Sequence, residues 1–296
     1  MKRARIAWIE RIPQSDEQMR RNVIVALAVL LSGCVGVRFS ASAPADQTML
    51  LSQQGADATL WQNTSAEAYW LYQQSYNYAT WKLETSLKDI DAEKQMVDSS
   101  EWDRRSLAVI VDIDETVLDN SPYQVNAVRR GRTYYAADWK EWTDKAIAKA
   151  VPGALDFLQF ARSAGCEVFY ITNRDVREKA STLKNLNEVG FPFADEAHLL
   201  LMEGTSDKTE RRARVASTHH VVLLVGDQLR DFDERFKDRT VNYGREIVDA
   251  MSDSLSQYFI LLPNPMYGTY RDAIQGKGTD AEKYARMKAW FDSNGY

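Results

Sequence analysis

The segment Val109-Ile110-Val111-Asp112-Ile113-Asp114-Glu115-Thr116 sets two carboxylates one residue apart after a short apolar run. Strand geometry alone would send Asp112 and Asp114 to the same face. Two carboxylates at the end of a buried strand are costly unless positive charge lies between them. The pattern therefore points to a metal ion, a phosphate-handling site, or both. Polar residues recur after later apolar runs. Thr172-Asn173-Arg174 follows Glu167–Ile171, and Gly226-Asp227 follows Val221–Val225, with Asp231 four residues on. Between these runs lies Ser206-Asp207-Lys208-Thr209.

The elements that must position these residues can be read from periodicity. Val109–Val111 is β-branched and too short for a helix, so it reads as a buried strand. Further strands are expected near 167–171, 198–201, 221–225 and 258–262. Helices are expected over 57–98, from Pro152, over 175–188, 207–217 and 279–293. Residues 120–150, with Tyr134, Tyr135, Trp139 and Trp142, read as an insertion or cap. Strands alternating with helices imply an α/β fold, with a mostly parallel sheet covered on both faces. Ligands of such sheets bind beyond the carboxyl ends of the strands. Asp112, Asp114, Thr172, Asn173 and Asp227 all fall at such ends and should converge. In 57–98 the aromatics Trp61, Tyr69, Trp70, Tyr72, Tyr76, Tyr78 and Trp81 are expected to pack on a core, with Trp70/Trp81 and Tyr69/Tyr76 as face-sharing pairs.

The 296 residues carry a net charge of -5, which argues against a nucleic-acid partner. With 45% hydrophobic residues the chain can build a sizeable core. Its two cysteines, Cys34 and Cys166, are expected to stay unpaired. Met19-Arg20-Arg21 precedes an apolar run, Val23–Leu31, then Ser32-Gly33-Cys34, which describes an export signal. The run is short for a membrane span, which needs roughly 20 apolar residues. Leu31-Ser32-Gly33-Cys34 resembles the bacterial lipobox, which implies cleavage before Cys34 and acylation of its thiol. Two or more acyl chains would anchor the chain stably. Residues 1–34 are thus expected to be a signal, with translation starting at Met19. Residues 35–56 read as a tether, and 57–296 as the folded domain, with helical and cap regions over 57–106 and 120–150. Val35 after the cysteine favours the outer membrane of a Gram-negative cell.

Taken together, the segments resemble the haloacid dehalogenase (HAD) superfamily of phosphatases. Asp112–Thr116 matches its first motif, Ile171–Arg174 its second, Lys208 its third, and Gly226–Phe232 its fourth. The lipobox, the aromatic amino-terminal helix and Pro263-Asn264-Pro265-Met266-Tyr267-Gly268 narrow the resemblance to class C bacterial acid phosphatases. The resemblance implies Asp112 as nucleophile, Asp114 as general acid and base, and an aspartyl-phosphate intermediate. It implies Mg²⁺ on the Asp112 and Asp227 carboxylates and the Asp114 carbonyl, with Asp231 holding a metal water or Lys208. Lys208, Thr172 and Asn173 would hold phosphate, and Trp139, Tyr267 and Tyr270 would stack on the substrate. The implied substrates are nucleoside monophosphates and other small phosphomonoesters; a homodimer stays open. The alternatives are a same-fold phosphatase for another phosphomonoester and a surface lipoprotein that binds without turnover. Arg174 is expected in a structural ion pair. Arg211, Arg212 and Arg214 are expected to form a solvated face. His198, His219 and His220 are expected to be structural.

Overall fold

The protein was examined as a computed structural model, which describes residues 47–96 and 105–296. The signal, Met19, the lipobox with Cys34 and the first part of the expected tether lie outside the described residues. Helices α1 (Gln47–Gln54), α2 (Ala56–Thr64) and α3 (Ala66–Met96) come first. The tether expected over 35–56 is therefore drawn too long. Its last part is α1, where Leu51 and Ser52 are buried. Burying an apolar side chain such as Leu51 stabilises the helix against its neighbours.

Helix α3 buries Ala68, Tyr72, Tyr76, Ala79, Leu83 and Ile90, a stripe at three- and four-residue spacing. The aromatic pairs expected on that face divide differently. Trp70 and Trp81 are 58% and 56% exposed, and Tyr69 is exposed while Tyr76 is not. Tyr72 and Tyr76 lie one turn apart and can send their hydroxyls to backbone carbonyls below. Trp70 and Trp81 fall on the opposite face.

Strand β1 (Ser106–Val111) leads to a short strand β2 (Leu118–Asp119), helices α4 (Ser121–Arg129) and α5 (Ala136–Lys145), and β3 (Lys149–Ala150). β2 and β3 pair antiparallel and close this segment off as a small cap. The chain continues through α6 (Ala154–Ser163), β4 (Cys166–Asp175), α7 (Lys179–Val189), β5 (Leu199–Met202), α8 (Thr209–Ala216) and β6 (His219–Gly226). It ends with α9 (Arg245–Ala250), α10 (Ser252–Tyr258), β7 (Phe259–Leu261), α11 (Thr269–Gln275) and α12 (Asp280–Asn294).

The main sheet has five parallel strands in the order β5-β4-β1-β6-β7. Side chains of β1 alternate between two cores. Val109 and Val111 face α3 and α6, with Tyr76, Leu83 and Phe157. Ala108 and Ile110 face the opposite layer with Phe169, Leu200 and Val215. The chain runs outward from β1 to β4 and β5, then crosses to β6 on the other side. A crevice therefore opens at the carboxyl end of β1, where such folds bind ligands. Register sets its depth: Val111 lies level with Tyr170 and Val225, so the residues just past these three positions meet at one height.

Candidate active site

Asp112 is the first residue beyond β1, and its N–H still donates to Val225 O at 3.0 Å. Lys208 caps the start of α8 and is buried. Its ammonium donates to Asp112 Oδ1, and to Asp231 Oδ1 at 2.7 Å. Asp227 follows β6. Its Oδ2 accepts from Asn264 Nδ2 at 2.6 Å and from Gln228 Nε2 at 3.0 Å. Asp231 folds back over the end of β6, its Oδ2 accepting from Gln228 N–H at 2.9 Å. That return demands glycine at 226, because a Cβ there would lie 2.5 Å from Asp231 Oδ2.

One ammonium faces a surplus of carboxylates. Burial pushes the Asp112 carboxyl up against the pull of Lys208, and Asp231, Asp227 and Asp114 push it further. Burial and Asp231 push Asp227 up to about 7, despite hydrogen bonds from Asn264 and Gln228. Burial pulls Lys208 down, yet Asp112 and Asp231 outweigh it and hold its ammonium above its ordinary range. Oxygen atoms of Asp112, Asp227 and Asp231 lie within 4.8 Å of one another. An all-oxygen, electron-rich cluster short of positive charge fits a hard divalent cation.

Asp114 lies across from this cluster and is held by one oxygen. Arg174 donates to Asp114 Oδ1 from Nε at 2.9 Å and Nη2 at 2.8 Å, and Asn120 Nδ2 donates to it at 2.9 Å. Among the described residues nothing bonds Oδ2. The ion pair expected for Arg174 is thus real but belongs to the site. Arg174 is itself 2% exposed and shares Thr182 Oγ1 and Asn120 Oδ1. Asn120 is oriented in turn by Trp142 Nε1, at 2.8 Å.

Glu115, fully buried, adopts a positive φ of 56° where the chain turns out of the strand. Its Oε1 accepts from Asn120 N–H at 2.9 Å and its Oε2 from the Tyr267 hydroxyl. Burial, then the charges of Asp114 and Asp227, push its carboxyl well above the ordinary range. The turn is braced from α3, with Tyr72 Oη donating to Pro263 O at 2.8 Å and Tyr76 Oη to Thr116 O at 2.5 Å.

The site opens into a cavity of about 560 Å³, within the roughly 300–1,000 Å³ of small-molecule sites. Asp112, Asp114, Asn173, Lys208, Asp227, Asp231, Trp139 and Tyr267 all face it. Two expected members do not. Thr172 lies beneath the wall, fully buried, its hydroxyl accepting from Arg174 N–H at 3.1 Å. Tyr270 is half exposed and bonds Pro265 O. The turn at Gly268, φ 144°, starts α11 there and carries Tyr270 out of the wall.

Arg211 and Arg212 do not form the expected solvated face. Arg211 donates to Thr172 O and to Asn173 Oδ1 at 2.8 Å, and Arg212 donates to Asp231 O at 3.0 Å. Both tie α8 to the strand ends. The sequence alone gives Glu115 and Asn120 no role in the site, and it sets Arg211 and Arg212 on the surface instead. Glu115 had a signal in its place between an aspartate and a buried turn. His198 and His219 do meet carboxylates, sharing Glu167 at 3.1 and 3.3 Å. They do so at the amino-terminal end of the sheet.

Residues 39–270 match the family described as HAD superfamily, subfamily IIIB (acid phosphatase). A solved class C acid phosphatase from Bacillus anthracis is 36% identical, with a TM-score of 0.69, covering 81% of this chain and 97% of that one. A tungstate-bound structure of that enzyme superposes with a TM-score of 0.68 at the same identity and coverage. Acid phosphatase 1 of Solanum lycopersicum is 29% identical over 53% of this chain. The stem 31 kDa glycoprotein of Glycine max is 27% identical over 53% of it. The matches span only 57% and 58% of those two plant proteins.

Proposed function

Since the chain belongs to the acid phosphatases of HAD subfamily IIIB, we propose that it is a Mg²⁺-dependent phosphomonoesterase acting on nucleoside monophosphates and other small phosphomonoesters. The observation that carries this reading is Lys208, which bridges Asp112 and Asp231 at the ends of two neighbouring strands. Tungstate in the Bacillus anthracis relative is a tetrahedral oxyanion, as phosphate is.

Asp112 attacks phosphorus in line, forming an Asp112 O–P bond as the ester P–O bond breaks. Asp114 gives its proton to the departing oxygen. It then takes one from the water whose oxygen forms the new bond to phosphorus as the Asp112–phosphorus bond breaks. Anchoring Asp114 through Oδ1 leaves Oδ2 for this exchange. Lys208 and Asn173 hold the phosphoryl oxygens, while Thr172 steadies the turn that carries Asn173 and Arg174. Mg²⁺ would be held by Asp112, Asp227 and the Asp114 carbonyl, with Asp231 keeping Lys208 in place. Bound there, it would offset the repulsion between carboxylates and phosphate. Trp139 offers the cavity a flat face for a base or aryl ring, and Tyr267 also lines it.

Cys34 is proposed as the lipidated residue that holds the enzyme on the outer membrane. Among the described residues no helix is long and apolar enough to cross a membrane.

Turnover of p-nitrophenyl phosphate and adenosine 5′-monophosphate, with Mg²⁺ and with a chelator, tests the activity. Asp112→Asn should be inactive while melting as a folded protein. Full activity in Asp112→Asn would remove the covalent mechanism, and turnover in excess chelator would remove the metal.

A further inference from the structure

Six basic side chains line the cavity: Arg132, Arg174, Lys208, Arg230, Arg271 and Lys283. Four are committed to carboxylates. Arg132 pairs with Asp138 at 3.0 Å, Arg174 with Asp114 at 2.8 Å, Arg230 with Glu234 at 2.8 Å, and Lys208 with Asp112 and Asp231. Arg271 and Lys283 pair with none of the described residues. The Arg271 guanidinium lies 6.0 Å from the Tyr270 ring centre. A Cβ at Gly55 would sit 3.9 Å from both of its terminal nitrogens. Both cations are partly buried. They come from α11 and α12, which form the cavity wall next to α1 and α2.

An unpaired cation kept partly from water in a cavity wall is a cost that an anion would relieve. Asp272 also lines the cavity, but it is exposed and makes no ion pair with either cation among the described residues. The phosphate that reacts has Lys208 at the strand ends. Arg271 and Lys283 come from helices and not from the strand ends, and the proposed mechanism gives them no role. A guanidinium and an ammonium together suit phosphate, the first as a planar fork and the second as a point charge. The cavity also has room beyond one phosphate, and Tyr123 and Trp139 give it an aromatic wall.

We propose that Arg271 and Lys283 form a second anion subsite, and that the favoured substrates carry a second phosphate besides the one removed. This rests on the phosphomonoesterase reading, and nucleoside bisphosphates are the class it selects. The experiment compares adenosine 5′-monophosphate with adenosine 3′,5′-bisphosphate and adenosine 2′,5′-bisphosphate in the Mg²⁺-loaded enzyme. At least one bisphosphate should show a KM about tenfold or more below that of the monophosphate, the worth of one charge-assisted contact. In Arg271→Gln/Lys283→Gln, checked for folding by its melting temperature, the KM ratio should fall to within about twofold of unity. Equal KM values in the wild type would overturn the subsite, as would a preference that survives the double substitution. Absence of turnover with p-nitrophenyl phosphate would instead overturn the phosphatase reading, so the two failures are separable.

Discussion

Asp114 is fixed through a single oxygen by two nitrogens of Arg174 and by Asn120. Arg174 touches no reacting atom in the proposed mechanism and is a positioning residue. Its loss should show where the proton matters. Arg174→Met is expected to lower kcat/KM for adenosine 5′-monophosphate, which reports only the step in which the leaving group departs, by about 10²-fold, within the range of acid–base contributions. For p-nitrophenyl phosphate, whose leaving group scarcely needs a proton, the loss should stay below about tenfold. Equal losses on both substrates would show that Arg174 does not act through Asp114. Asp112, Asp114, Lys208 and Asp227 were legible in the sequence because each follows a strand or opens a helix, and Asp231 because the family's fourth motif carries it. Asn120 and Glu115 were not, because the partners that fix them from outside this segment, Trp142, Arg174 and Tyr267, lie far along the chain. Nothing in the order of residues says that Tyr267 reaches back to Glu115 or that Trp142 orients Asn120.

Helix α3 acts as a strut under the turn that follows β1. Tyr76 is buried, and its hydroxyl supplies the side-chain hydrogen bond to Thr116 O. Tyr76→Phe should leave that carbonyl unsatisfied and cost about 1–3 kcal/mol, read from the midpoint and slope of urea unfolding. An unchanged midpoint would mean the carbonyl finds another donor. The helix itself was evident from its length and composition. Its buried side was only half legible, because Trp70 and Trp81 repeat at helical spacing as Tyr72 and Tyr76 do. What distinguishes the two stripes is the set of carbonyls waiting beneath one of them. Those belong to residues 115, 116 and 263, far away in the chain.

The molecule keeps its unbalanced charge at one end of the sheet. Mg²⁺ should raise the melting temperature and a chelator lower it, because a cation that binds only the folded cluster stabilises it by mass action. A melting curve blind to both would speak against a metal on Asp112, Asp227 and Asp231. At the other end, burial raises Glu167, but the hydrogen bonds and charges of His198 and His219 outweigh it and hold the carboxyl below its ordinary 4.5. Its stabilising contribution is therefore complete above about pH 4.5 and is lost as the pH falls through the lowered folded value. The difference in melting temperature between wild type and Glu167→Gln should shrink on acidification from pH 6 to about pH 3. A difference that is constant or grows would refute that pairing. The parallel sheet could be inferred from the alternation of strands and helices, and the cap over 120–150 from its polar and aromatic residues. The carboxyl-terminal helices could not be placed, since nothing in their charged pattern shows that α11 and α12 complete the cavity wall.

The bracing of the catalytic turn by Tyr72 and Tyr76 also decides how far this chain can be shortened. A cut ahead of Gln47 would leave α1, α2 and α3 in place, and that fragment should keep its activity. A chain beginning at Ser106 would retain every aspartate of the site and lose both hydroxyls that hold Thr116 and Pro263. Assayed side by side, the longer fragment should turn over p-nitrophenyl phosphate and the shorter should not. The minimal enzyme is thus larger than its catalytic motifs, and its amino-terminal limit is set by two phenols that never meet the substrate.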